Sequence, residues 1–295
     1  MNSEAALDEI DRIHDEEPDR AAAALREFDA AGLPAGRLPL LGFLLLHVLG
    51  EKSGAWSEAA ERLAALRSAR DDAPLALLAH AAVAARLAGR SDDSEAALAR
   101  SGGEAEARVA VALGVIGWRP PAAIEEMAAE LHRLAAASTA LAIDGPLKQR
   151  LAAGFNNATS ALLDRAPAPV PPAIAAALAA GAEAALRFWI AAGTWVNHER
   201  ALYLRALVAN RCGRAAAARD DCRQALAIIT ANGTEDVDRV FLQLQLAGAL
   251  LKLGDVAAGE AQMAEAKAAA AVWDDEGLRS WFQDEHDRLL VDRGN

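Results

Sequence analysis

The chain has 295 residues, of which 53% are hydrophobic and only 4% are aromatic, and its formal net charge is −12. This length exceeds that of a typical single core, which predicts two domains or one elongated array. The acidic balance argues against non-specific nucleic-acid binding, because phosphate contacts need a basic surface. Ala and Leu carry most of the apolar share, and strand-favouring residues are sparse, so we predict an all-α fold.

Periodic apolar segments separated by short Gly-, Pro- and Asp-containing breaks predict a succession of helices along the chain. The predicted helices span residues 3–15, 19–31, 38–50, 55–69, 74–88, 92–100, 104–116, 121–137, 145–164, 172–192, 195–212, 215–230, 236–253, 256–272 and 275–291. Such a succession is typical of a helical array, in which each helix pair buries its apolar face against its neighbours.

The two ends of the chain carry most of the negative charge. Residues 1–30 hold ten acids and three bases, and residues 273–295 hold seven acids and three bases. Leu7, Ile10 and Ile13 recur at helical spacing among the N-terminal charges. We therefore predict polar terminal caps of an array, the alternative being frayed and solvated termini.

A proline-rich break, reading RAPAPVPP, covers residues 165–172. Four prolines in six residues cannot continue a helix and favour an extended connection. We place a domain boundary here, between a degenerate helical-repeat region at 1–165 and a better-patterned region at 166–295 that ends in a capping helix. The alternative is a longer loop within one continuous solenoid.

Two stretches after this break, 199–226 and 240–266, repeat one helix-turn-helix pattern, with Gly213 and Gly254 at the same internal place. They resemble tetratricopeptide repeats, whose antiparallel helices pack through small residues. Upstream the resemblance is weaker, with Gly50 and Gly89 at the expected turns. The resemblance implies a right-handed superhelix of antiparallel helix pairs, a TPR-like α-solenoid.

The same resemblance implies a concave groove, lined by the first helix of each unit, that binds a peptide segment or a helix of a protein partner. The candidate partner-binding residues are polar or aromatic side chains on the first helices: Asn156, Asn157, Ser160, Trp195, Asn197, His198, Arg200, Tyr203, Asn210 and Arg211. In one interpretation Trp195 and Tyr203 offer aromatic surface and Arg200 pairs with an acidic group of the partner. In the alternative, the asparagines bridge helices, Trp195 fills a gap between repeats, and Glu199 pairs with Arg200 or Tyr203 on the surface.

Other kinds of site lack a pattern in the sequence. The histidines are dispersed without an i, i+4 partner, Cys212 and Cys222 have no metal-ligand spacing and read as buried core residues, and no phosphate-binding loop or nucleophile elbow occurs. We therefore predict no metal, no cofactor and no catalysis. No membrane span or export signal is evident, so we expect a cytoplasmic protein without membrane insertion.

The leading hypothesis is a non-catalytic protein–protein interaction module. The second is a self-associating scaffold, whose groove is filled by its own chain or by a second copy. The third is an all-α enzyme with a site assembled from separated helices.

Overall fold

The computed structural model describes residues 3–70, 72–99, 104–119 and 122–291, whose regular structure is helical and contains no strand. The all-α prediction is therefore confirmed for these residues. Backbone contacts divide the chain into two compact units, one formed from residues 1–120 and 145–150 and the other from 121–144 and 151–295. The boundary predicted near residue 166 falls inside the second unit.

The first unit is built around one buried helix. Its elements are α1 (Ser3–Ile13), α2 (Pro18–Glu27), a 3-10 turn (Ala35–Arg37), α3 (Leu38–Leu44) with a π-helical continuation (Leu45–Lys52), α4 (Trp56–Ala69), α5 (Leu75–Leu87), α6 (Ser91–Ala99) and α7 (Glu104–Trp118). Ten of the thirteen residues of α5 are buried, and α5 packs against α3, α4, α6 and α7. An apolar helix surrounded on several sides is the expected centre of such a core.

The second unit is a succession of packed helices. Its helices are α8 (Ile124–Ser138), α9 (Lys148–Arg165), α10 (Pro172–Ala192), α11 (Trp195–Arg211), α12 (Ala215–Asn232), α13 (Asp236–Lys252), α14 (Val256–Ala270) and α15 (Glu276–Val291). The part of α9 that belongs to this unit begins at Leu151. From α10 to α14 each helix packs against the next one, while α11 also contacts α13, and α13 also contacts α15. This pattern is compatible with a helical repeat.

A glycine in the left-handed conformation lies at the turn of four of the helix pairs. Gly54, Gly89, Gly213 and Gly254 are the positive-φ residues of the described chain, with φ between 67° and 84°. After three of them the next residue donates its N–H to the carbonyl five residues earlier, as Arg214 does to Ala209 at 2.8 Å. This is the 6→1 bond of a Schellman motif, which ends a helix at a left-handed residue.

The turn glycine of the first unit differs from the one predicted. Gly50 does not form the turn; it lies in the π-helical stretch, where a Cβ would come within 2.3 Å of the Trp56 ring. The turn residue is Gly54, and the following N–H, that of Ala55, reaches back six residues to Leu49. The wider π-helical turn displaces the end of the helix from the place that a regular α-helix predicts.

Replacing a turn glycine tests this motif. At φ 70° an added Cβ meets backbone rather than neighbours, so Gly213→Ala is expected to lower the free energy of unfolding by about 1–2 kcal/mol. Gly117→Ala is the matched control, because Gly117 is an exposed residue within α7 with open space around it. Its expected effect is a gain of about 0.5–1 kcal/mol in urea unfolding. Equal effects of the two substitutions would contradict the role of the left-handed turn.

Helix α10 is long and apolar enough, by length and composition, to cross a membrane. A buried core helix can have the same length and composition, and half of the apolar window of α10 is buried within the second unit. Its two charged residues have partners there: Glu183 pairs with Arg205 at 2.8 Å, and Arg187 donates to the Ser138 carbonyl at 2.6 Å.

Candidate functional site

The predicted residues on α9 lie at the surface of the second unit. Asn157 is exposed, and Asn156 and Ser160 are half-buried. The two asparagine side chains are 3.5 Å apart, from Nδ2 of Asn156 to Oδ1 of Asn157. The buried face of the same helix holds Phe155, which fixes how α9 presents these polar groups.

The predicted cluster at the start of α11 is engaged in local structure. The backbone N–H of Thr194 donates to Oδ1 of Asn197 at 2.9 Å, as in a capping box. Trp195 packs against the core cluster that contains Leu186 and Ile229. The His198 Nε2 is enclosed and has no hydrogen-bond partner. The structural interpretation of Asn197 and Trp195 is therefore the one that the contacts support.

Arg200 is exposed and surrounded by carboxylates of its own chain. Its Nε donates to Asp238 at 2.7 Å, and its guanidinium lies 3.5 Å from Glu235 and 3.7 Å from Glu199. The acidic groups that Arg200 pairs with thus come from the start of α13 and from its own helix.

Glu199 is fully buried, in contrast to the surface position considered for it. Neither of its oxygens accepts a hydrogen bond from a donor. The pKa of Glu199 is raised to about 8, mainly by burial and secondly by the neighbouring Asp238 carboxylate. The positive charge of Arg200 lowers this pKa only in part. Glu199 therefore keeps its proton at neutral pH.

Tyr203 is mostly enclosed rather than offered as aromatic surface. Its ring meets Phe241 edge-on with centroids 6.4 Å apart, and it packs against two of the core clusters of the unit. Its hydroxyl is buried without a partner, and this burial raises the pKa of Tyr203 well above its ordinary value. The contacts of Tyr203 are those of a residue that joins α11 to α13.

Asn210 and Arg211, at the end of α11, bridge neighbouring parts of the unit. Asn210 is 1% exposed, and its Nδ2 donates to the backbone and side-chain oxygens of Gln245, both at 3.0 Å. Arg211 is half-buried and donates to the Ala166 carbonyl at 3.2 Å. Arg211 and the neighbouring Cys212 line an open cleft of about 380 Å³.

Of the two cysteines, only Cys222 is buried as predicted; Cys212 is half-buried, because it follows the last residue of α11 and faces this cleft. Burial raises the pKa of both thiols, so neither is an activated nucleophile.

Asn210 is one member of a row of polar residues that lies across α9, α11, α13 and α15. We define the polar row as Asp164 on α9, Asn210 on α11, Gln245 and Lys252 on α13, and Glu285 and Arg288 on α15. Gln245 Nε2 lies 3.5 Å from Glu285, Arg288 donates to Glu285 at 2.6 Å, and Arg288 is 4.0 Å from Asp164. Lys252 donates to the Asn210 carbonyl at 3.0 Å.

The polar row buries a carboxyl group and an unpaired amide oxygen. Glu285 is 7% exposed, and burial raises its pKa, although Arg288 and Arg211 act in the opposite direction. The Oδ1 of Asn210 is enclosed and has no donor. Burying polar groups without full pairing costs free energy, so this contact is weaker than an apolar one of the same area.

Helix α15 also makes apolar contacts beside the polar row. Leu289 is 5% exposed and lies against Gly248 on α13, where an added Cβ would come within 2.7 Å of its side chain. Phe282 is buried against Phe241, and the Trp281 ring lies 4.1 Å from the Phe241 ring. A gap of only about 40 Å³ remains between α15 and the residues of α9, α11 and α13.

The sequence did not indicate Gln245, Lys252, Glu285 or Arg288 as members of this site. They lie on two helices that are tens of residues apart in the sequence. Taken one at a time, each occupies a helical position that an ordinary surface residue could also occupy. Only the helix α15 itself was predicted, as a terminal cap.

No protein-family model matches the chain, and a search of curated proteins returns no match.

Proposed function

We propose that the second unit is a non-catalytic interaction module that binds one amphipathic helix of a partner protein. In this proposal the helix pairs form a right-handed, tetratricopeptide-like superhelix, and the partner helix occupies the groove along α9, α11 and α13. The observation that carries the proposal is that α15 already lies against all three helices. A surface that receives one helix has the shape needed to receive another.

The character of α15 indicates what a partner helix would look like. The side chains of Phe282 and Leu289, seven residues apart, are buried. Glu285 lies between them in the sequence and is within 3.5 Å of Gln245 in the polar row. A partner helix with two apolar residues at this spacing and a neutral hydrogen-bonding residue at the place of Glu285 would avoid burying a carboxyl group. Such a helix would therefore bind more tightly than α15 does.

The weak seating of α15 supports exchange of one helix for the other. The Oδ1 of Asn210 is buried without a hydrogen-bond partner, burial raises the pKa of Glu285, and Trp281 remains 46% exposed at the end of the contact. An intramolecular occupant competes at a high effective concentration. A partner can therefore displace α15 only if α15 is weakly held in the groove. The buried polar groups at this contact weaken it.

The test is a labelled peptide with the sequence of residues 276–291, titrated into the full-length protein. Phe282→Ala/Leu289→Ala removes both apolar anchors of the resident helix, each of which contributes about 2–5 kcal/mol when fully buried. We expect this variant to bind the peptide at least tenfold more tightly than the wild type in fluorescence anisotropy.

Val272→Ala is the control variant, because Val272 is 79% exposed and lies just beyond α14. It should bind the peptide as the wild type does, and a peptide of scrambled sequence should bind neither protein. A Phe282→Ala/Leu289→Ala variant that keeps its helical circular dichroism and binds no peptide would refute the groove.

A self-associating scaffold is the second candidate, and the same contact favours it. If α15 can leave its groove, the α15 of a second copy can enter it, as in domain swapping. Sedimentation velocity over a range of concentrations separates the two. A wild-type dimer that dissociates in the Phe282→Ala/Leu289→Ala variant supports the scaffold, whereas a monomer that binds the peptide supports the partner module.

A further inference from the structure

Two histidines distant in sequence meet in the first unit. His14 directly follows α1, and His47 lies in the π-helical stretch after α3. Their ring centroids are 5.2 Å apart, and Asp15 lies between them. One ligand atom from each of His14, Asp15 and His47 lies within 4.8 Å of the others.

The Nδ1 atom of each ring already has an acceptor. Nδ1 of His47 is 2.6 Å from Oε2 of Glu51, and Nδ1 of His14 bonds the backbone carbonyl of Asp11. A carboxylate and a carbonyl can only accept, so both Nδ1 atoms carry a hydrogen. In the neutral imidazoles, each Nε2 therefore has a lone pair and no hydrogen.

Both Nε2 atoms face the carboxylate of Asp15. The distance is 3.1 Å from His47 Nε2 to Oδ1 and 3.4 Å from His14 Nε2 to Oδ2. With neutral rings, two acceptors would each face an acceptor, which is unfavourable. A cation placed among the three groups removes this conflict, since all of them can donate a lone pair to it.

We propose that His14, Asp15 and His47 bind a divalent first-row transition-metal ion of the Zn²⁺ type. Imidazole and carboxylate ligands together suit zinc and its neighbours better than Mg²⁺ or Ca²⁺. In a tetrahedral site with metal–ligand bonds of about 2.0–2.1 Å, the ligand atoms lie about 3.4 Å apart. The two measured contacts to Asp15 are close to this value.

The surroundings of the three ligands fit the same purpose. Glu51 holds the far nitrogen of His47, in the carboxylate–histidine–metal arrangement that orients metal ligands. Phe43 stacks on the His47 ring at 5.5 Å, and Trp118 lies 5.7 Å from it. These rings restrict the orientation of His47, and π-helical turns of this kind recur at functional sites.

The charged neighbours define how the ion would enter. The Nζ of Lys52 lies 3.5 Å from Asp15, and the partly exposed Lys52 side chain would move away as the ion takes the carboxylate. The Asp11 carboxylate, 3.9 Å from His14, adds negative charge nearby. Asp15 is 66% exposed, so a fourth coordination position faces water. The bound ion would tie the end of α1 to the π-helical stretch.

The test uses tag-free, full-length protein that has been treated with chelator and then titrated with Zn²⁺ by calorimetry and with Co²⁺ by visible absorption. We expect one ion per chain and the absorption of a four- or five-coordinate Co²⁺ site. His14→Gln/His47→Gln should abolish saturable binding, while His132→Gln should not change it, because His132 is an exposed residue of α8 in the other unit.

Two further variants keep the test decisive if the double histidine variant does not fold. Asp15→Asn changes an exposed side chain in a turn and should weaken Zn²⁺ binding by at least tenfold. Glu51→Gln, which changes only the support of His47, should weaken it by about 10-fold. Absence of saturable Zn²⁺ and Co²⁺ binding by the wild type, or equal binding by wild type and Asp15→Asn, would overturn the proposal.

Discussion

Glu199→Gln is expected to stabilise the folded chain at pH 7 by about 3 kcal/mol, because each tenfold change in proton concentration above the unfolded pKa corresponds to about 1.4 kcal/mol. The pKa of Glu199 is raised from 4.5 to about 8 in the fold. Between these values the folded chain holds a proton that the unfolded chain has released. The unfolding free energy of the wild type therefore falls as the pH rises through this window, and glutamine removes this contribution.

Glutamine fits the site for a structural reason as well. It has nearly the shape of a protonated glutamic acid, and its amide can donate to the neighbouring Asp238 carboxylate. The contacts of Arg200 to Asp238 and Glu235 remain available in the variant.

Urea unfolding of wild type and variant at several pH values between 4.5 and 8 provides the measurement. The difference between the two proteins should grow with pH and be smallest at the acidic end. Glu260→Gln, an exposed site on α14, is the control and should follow the wild type at every pH. A constant difference between Glu199→Gln and wild type would show that Glu199 does not titrate in this range.

Phe155→Ala is expected to lower the free energy of unfolding by about 3–5 kcal/mol, the usual cost of deleting a buried aromatic ring. Phe155 and Phe188 are both 0% exposed, and their parallel rings lie 6.2 Å apart between α9 and α10. The same two helices approach closely elsewhere, since a Cβ on Gly181 would lie 2.3 Å from Thr159.

Thermal and urea unfolding, followed by circular dichroism, measure this effect. Phe155→Leu keeps much of the volume and should cost less than Phe155→Ala. Ile143→Ala shortens a side chain that is 47% exposed, and should change the unfolding free energy by less than about 0.5 kcal/mol. Equal losses for Phe155→Ala and Ile143→Ala would contradict the packing described for α9 and α10.

The helices could be predicted from sequence because their ends depend on local chemistry. Each predicted helix has an observed counterpart, with ends that agree within four residues when the π-helical continuation to Lys52 is counted with α3. Glycine at left-handed turns and proline at first helical turns act within a few residues, so a single sequence contains the signal. The π-helical stretch was not predicted, because the apolar run 38–50 is compatible with a regular α-helix.

The candidate site was harder to predict, because its residues depend on contacts between helices. The sequence placed Tyr203 and Asn210 beside the apolar stripe of α11, which is correct for one isolated helix. In the fold, α13 covers both of them, through Phe241 and Gln245. Similarly, nothing local distinguishes His14 from His47 or from the other histidines, since their meeting depends on how α1 lies against the stretch after α3.

The recurring glycine turn has a consequence for how the length of such a chain can change. Each turn and its two helices are closed by bonds within a few residues, as the Asp255 N–H to Leu250 carbonyl bond shows at 3.0 Å. Inserting or losing a single residue inside a helix rotates the rest of its side chains away from their neighbours. In an array of stacked helix pairs, addition or removal of a whole pair preserves the turns and the types of interface. Proteins built from such helix pairs are therefore expected to differ in length by whole pairs. One pair corresponds to about 40 residues, which is the interval between Gly213 and Gly254.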